Sequence, residues 1–109
     1  MRVAIAFAAA VTSIALMGQT FTPPPAVPKP QFTREPDLDR SGNDLRRDVL
    51  DAGSNVEACE ARCLATNGCV AFTYVKQSTT VPQPICWLKN TVPTGYKSSC
   101  CISGVLQRP

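Results

Sequence analysis

The chain of 109 residues contains no histidine. General acid–base catalysis near neutral pH most often uses an imidazole, and a nucleophilic cysteine needs an activating partner of that kind. Neither has an evident source here. Three clustered carboxylates, Asp37, Asp39 and Asp44, lie in a stretch dense in turn formers, DLDRSGND, where solvation accounts for them more simply than chemistry. The residue types thus exclude the common hydrolytic constellations, and the chain is not expected to be an enzyme.

Acidic charge is missing from the second half. All eight Asp and Glu lie between Glu35 and Glu60, and the later charges are Arg62, Lys76, Lys89, Lys97 and Arg108. The net charge of +3 is small, with no basic run and no aromatic–basic interleaving, so nucleic acid is not an expected partner. Cysteine is missing from the first half: all six lie between Cys59 and Cys101. No Asn-x-Ser/Thr sequon occurs, so no N-linked glycan is expected. No apolar run reaches the roughly 20 residues of a membrane-spanning helix.

What is present divides the chain in three. Residues 1–18 carry Arg2 followed by an apolar run from Val3 to Met17, the pattern of a signal peptide, and imply export to the periplasm or beyond. Residues 19–36 hold six of the ten prolines and read as a semi-rigid linker. Residues 37–109 form the folded domain. An even number of cysteines in a short exported chain implies a disulfide framework, which a core this small needs. The spacings C-x3-C and C-x5-C, without histidine, do not fit the usual zinc sites, so neither a metal nor a cofactor is expected. A formal calcium-loop pattern through Asp37, Asp39, Ser41, Gly42 and Asp48 lacks the closing glutamate and is read as a tight turn.

Within the domain, Leu45–Leu50 is expected as a short strand. Ser54 with Glu57 makes a capping box, and Asn67-Gly68 supplies a left-handed stop. Between them Val56, Cys59 and Cys63 fall on one helical face. Val70–Lys76 and Ile85–Lys89 read as strands of an antiparallel hairpin around a polar loop, Gln77–Pro84. Asn90–Ser99 is expected to be irregular. Ile102–Leu106 is expected as an edge strand, weakened by Gly104. Phe72, Tyr74 and Trp87 are expected to be consumed by the core.

The segments DRSGNDL (39–45), SNVEACEARC (54–63), NGCVAFTYV (67–75) and CWLK (86–89) together resemble the PAN/Apple domain family, over roughly half of the chain. The tail CCISGV (100–105) is similar to the ends of bacterial PAN-like segments. The resemblance implies an α+β fold: a small antiparallel sheet wrapped around one helix and stapled by disulfides. Carried over by position, it implies the bonds Cys59–Cys86 and Cys63–Cys69. It departs from the six-cysteine Apple pattern, because no cysteine precedes Cys59 to join the two ends of the domain. Cys100 and Cys101 are left over and adjacent. They are expected to bridge each other, although neighbouring Cα atoms stand only about 3.8 Å apart, below the usual disulfide range. A bond to another chain is the alternative.

The family resemblance implies a non-catalytic module that binds a protein or a polysaccharide. Lys76, Lys89, Tyr96 and Lys97 are its candidate contacts. A structural envelope protein cross-linked through Cys100 or Cys101 is the competing expectation, and a thiol-redox protein a weaker one.

Overall fold

The computed structural model describes residues 22–25 and 29–108. The expected signal segment lies outside the described residues. Six strands and one helix follow one another: β1 (Gln31–Phe32), β2 (Glu35–Asp39), β3 (Asp44–Val49), α1 (Val56–Leu64), β4 (Ala71–Val75), β5 (Ile85–Lys89) and β6 (Tyr96–Gln107). All pairings are antiparallel, in the order β3-β5-β4-β6, with β1 and β2 both on the far side of β6. The result is a curled sheet around a single helix, pinned by the bonds Cys59–Cys86 and Cys63–Cys69, with Cα separations of 5.4 and 5.3 Å.

The helix forms where apolar positions repeat at helical spacing, and it buries Val56, Cys59 and Cys63. Its N-cap is Asn55, not Ser54: the Asn55 side chain accepts from the Ala58 N–H at 3.3 Å. Ser54 instead gives its carbonyl to the Tyr74 hydroxyl, at 2.6 Å. Helical structure ends at Ala65, and Gly68 takes the left-handed backbone, φ +83°, that starts the turn into β4.

Alternation along the strands separates two faces. Phe72, Tyr74, Cys86 and Leu88 face the helix and join Leu50, Val56, Cys59 and Cys63 in the core. Phe72 is fully buried, worth roughly 1.5–3 kcal/mol of transfer free energy.

The hairpin β4–β5 stands as expected, in a register that puts Thr73 opposite Trp87. The last strand does not. β6 runs for 12 residues and lies inside the sheet, bonded to β4 on one side and to β1 and β2 on the other. Gly104 does not weaken it, because the glycine is what lets the strand close on the core: a Cβ there would stand 2.5 Å from Cε2 of Phe72 and 2.7 Å from the Thr33 carbonyl oxygen. The sheet also begins earlier than a linker through residue 36 would allow. Phe32 packs edge-on against Phe72 with ring centroids 5.3 Å apart, and Gln31 pairs with Gln107. Pro36 is tolerated because β2 lies at a sheet margin, where a missing N–H costs little.

β2 meets β6 irregularly. Pro36 pairs with Ile102 but Leu38 pairs with Lys97, so Asp37 alone stands opposite Ser98–Cys101. Asp37 adopts φ +57° at this point. A buried chain of hydrogen bonds fixes the crossing. Thr73 Oγ1 donates to Ser103 Oγ at 2.8 Å, Ser103 Oγ donates to the Leu38 carbonyl at 2.9 Å, and the Arg40 N–H donates to Thr73 Oγ1 at 3.2 Å.

Candidate functional site

The face of the sheet away from the helix carries the most distinctive surface. Because Cys86 points inward to bond Cys59, its neighbour Trp87 must point outward. Trp87 is half-buried rather than part of the core. The sequence contained this signal, since pairing Cys86 with the helix fixes the direction of Trp87 by alternation alone.

β2 ends above this face. The Arg40 guanidinium holds both carboxylate oxygens of Glu35, at 2.9 and 2.8 Å, and donates to the Pro93 carbonyl at 2.7 Å. The carboxylate hydrogen bonds raise the Arg40 pKa above its ordinary value. Leu38 packs against Gly95, where a Cβ would meet Leu38 Cδ2 at 2.6 Å. These contacts set Asp39 over the sheet. The chain then turns through Gly42 and Asn43, at φ +102° and +55°, into β3.

Between this turn and the sheet lies a cavity of about 290 Å³, walled by Asp39, Ser41, Trp87, Val75, Lys89 and Cys100. Ser41 Oγ donates to Asp39 Oδ2 at 2.8 Å. No cation stands within salt-bridge distance of Asp39 among the described residues. Lys89 is different. It is 2 % exposed, its ammonium pairs with Asp44, and it donates to the Gly42 carbonyl at 3.2 Å. Its charge is therefore compensated, and its task is to hold the turn.

The contacts expected from sequence are thus not one patch. Tyr96, 65 % exposed, and Lys97 lie at the start of β6, opposite Asp39 and Leu38 respectively. Lys76 follows β4, and its Nζ stands 3.8 Å from Asp37 Oδ1. Lys89 is removed from the exposed set by burial. Cys100 and Cys101 lie side by side within the β6 irregularity, Cα atoms 3.7 Å apart, with Cys101 buried and Cys100 exposed. Lys76 N–H donates to the Cys100 carbonyl at 2.9 Å and keeps the segment against β4.

Asp48, one of the formal calcium-loop positions, is committed elsewhere. Its carboxylate accepts from Arg46 at 2.7 Å and from Arg62 of the helix at 3.0 Å. The Arg46 hydrogen bond, followed by that of Arg62, holds its pKa below the usual carboxylate range. No cluster of three or more metal-ligating side chains occurs among the described residues. Nor is any helix among them long and apolar enough to cross a membrane.

A single helix cradled by a curled antiparallel sheet, with one disulfide from helix to hairpin and another across the helix end, defines a small disulfide-stapled module. Residues 38–89 match the family model of the PAN domain, and this stretch of the chain is a PAN/Apple-type domain. The matched stretch, just under half of the chain, contains both helix disulfides and ends before β6 and the Cys100–Cys101 pair. No curated protein and no solved structure shows significant similarity to the chain. PAN domains are disulfide-rich modules that bind proteins or carbohydrates and are generally non-catalytic.

Proposed function

We propose that the chain is an exported, non-catalytic binding module that takes a saccharide ring of a polysaccharide in the cavity between Asp39 and Trp87. One observation carries the reading: an aromatic ring and an aliphatic wall, Trp87 and Val75, face the Asp39 carboxylate, which has no ion-pair partner among the described residues. A sugar ring has the matching surface, an apolar C–H face edged by hydroxyl donors. At about 290 Å³ the cavity sits at the low end of ligand sites, a size for one ring of a chain and not for a large cofactor. Tyr96, paired in register with Asp39, flanks the opening toward the next sugar. Export is supported by the disulfide framework, which persists in oxidising compartments.

The test is calorimetric titration of the oxidised protein with neutral oligosaccharides of glucose, N-acetylglucosamine and xylose. At least one should bind saturably. Asp39→Asn should weaken it about tenfold, the loss of one charge-assisted hydrogen-bond partner, and Trp87→Ala should abolish it. Equal affinity in Asp39→Asn, or no binding by any of the three series, overturns the reading.

A further inference from the structure

The outward face has a second concavity on the other side of Trp87, and it has a different chemistry. It encloses about 350 Å³ between β3, β5 and the loop after β4, with Arg47, Val49, Val81, Pro82, Gln83 and Ile85 on its walls. We infer that this groove is a second binding site, for an extended segment of a partner protein that sets a carboxylate against Arg47 and an apolar side chain on Val49 and Ile85.

Charge complementarity identifies the occupant. Arg34, Arg40, Arg46 and Arg62 each hold a carboxylate. Arg47 holds none, although every acidic residue of the chain lies among the described residues. Its guanidinium instead lies over the Trp87 ring, Cζ 5.6 Å from the centroid. Trp87 and Arg47 are register partners, so the cation is held at a fixed place beside the groove. The loop that forms the far wall follows Glu60 and contains no acid that could compete for it.

The floor favours an apolar side chain over a sugar. Val49 is 46 % exposed and pairs with Ile85, and Val81 and Pro82 complete an aliphatic surface. Of the polar groups on the wall, Gln83 Nε2 donates one N–H to the Leu50 carbonyl at 3.1 Å, and the Thr80 hydroxyl stands 3.4 Å from that of Ser78. Few hydrogen-bonding groups are left for a ring of hydroxyls. A protein segment also gains from β3, which is the outermost strand and has no strand partner on its far edge among the described residues. Main-chain bonds to such an edge, with pockets for alternate side chains, are a recurrent mode of peptide capture. Arg46 and Asp48 do not obstruct it, because they bond each other and Arg62 on the helix side.

Trp87 is the only tryptophan of the chain and lies under the Arg47 guanidinium, so its emission reports on the groove through Arg47. The full oxidised protein is titrated with the acetylated and amidated peptide Val-Glu-Val-Glu-Val and with its Gln and Lys counterparts. A saturable change is expected with the Glu peptide, at least tenfold tighter than with either counterpart and weakened by added salt. Arg47→Gln should lower the affinity at least tenfold, and Arg47→Glu should remove it. Lys97→Gln should stay within twofold of the unchanged protein, which separates a contact from general attraction to a basic surface. In the unchanged protein the amide resonances of Arg47, Val49 and Ile85 should shift on binding. Equal affinity for the three peptides, an Arg47→Gln protein within twofold of the original, or preference for an oligogalacturonate over the Glu peptide would overturn the proposal. Oligosaccharide binding at Asp39 is a separate readout, so either site can fail without the other.

Discussion

The ring of Phe72 occupies the space that a Cβ on Gly104 would take, 2.5 Å from Cε2. This contact lets β6 run through the sheet instead of along its margin, and it ties the segment after residue 89 to the matched PAN core. Gly104→Ala should therefore destabilise the protein by about 1–3 kcal/mol, the range for overpacking a closed core. Phe72→Leu in the same chain should recover part of that loss, since it withdraws the clashing atoms. Chemical denaturation of the single and double variants checks both.

The two helix disulfides should differ in weight. Cys59–Cys86 closes a loop with a sequence separation of 27, and Cys63–Cys69 one of 6. Loop-closure entropy assigns about 3–4 kcal/mol to the first and about 2 kcal/mol to the second. Replacing each pair by alanine and measuring unfolding midpoints should give that order. Peptide mapping under non-reducing conditions should recover both bonds and an intramolecular Cys100–Cys101 link. A Cys100 or Cys101 bond to another chain would favour the cross-linked structural role.

Asp44 and Lys89 should behave asymmetrically. The ammonium is buried at 2 % exposure and paired with a carboxylate that reaches solvent, 35 % exposed. Asp44→Ala leaves the buried charge with the Gly42 carbonyl alone and should cost on the order of 2 kcal/mol, less than the roughly 3–5 kcal/mol of a fully buried pair because Asp44 reaches solvent. Lys89→Met removes the charge and keeps the stem, and should cost less. Denaturation of the two variants side by side checks the order.

Stability should fall in acid partly through Asp48. Its pKa is lower in the folded chain than in the unfolded one, because Arg46 and Arg62 favour the carboxylate. The contribution is therefore present above the unfolded carboxylate pKa, about 4, and is lost as pH drops through the folded value. Asp48→Asn should lower the thermal midpoint at pH 7, and the difference from the original protein should shrink below pH 4.

Much of the core was legible in the sequence. Helical spacing put Val56, Cys59 and Cys63 on one face, and alternation marked both hairpin strands. The bulk of β6 was hidden because Ser98, Ser99, Cys100 and Gly104 carry little strand propensity, and its place depends on long-range contacts with Phe72 and Leu38. The entry into the sheet at Gln31 was hidden by neighbouring prolines. Charge was a poor guide to the site. Lys89 is spent on the turn, whereas Arg47 and Asp39 have no oppositely charged partner among the described residues, a property of the fold and not of the residue type.

The saccharide cavity is tested most directly by amide chemical-shift mapping of the oxidised full chain titrated with the neutral oligosaccharide series. The expected result is saturable shifts grouped at Ser41, Gly42, Val75, Trp87 and Lys89, around the cavity above the sheet. Shifts confined to the helix side, at Glu57, Ala61 and Leu64, or no shift with any sugar, would contradict it.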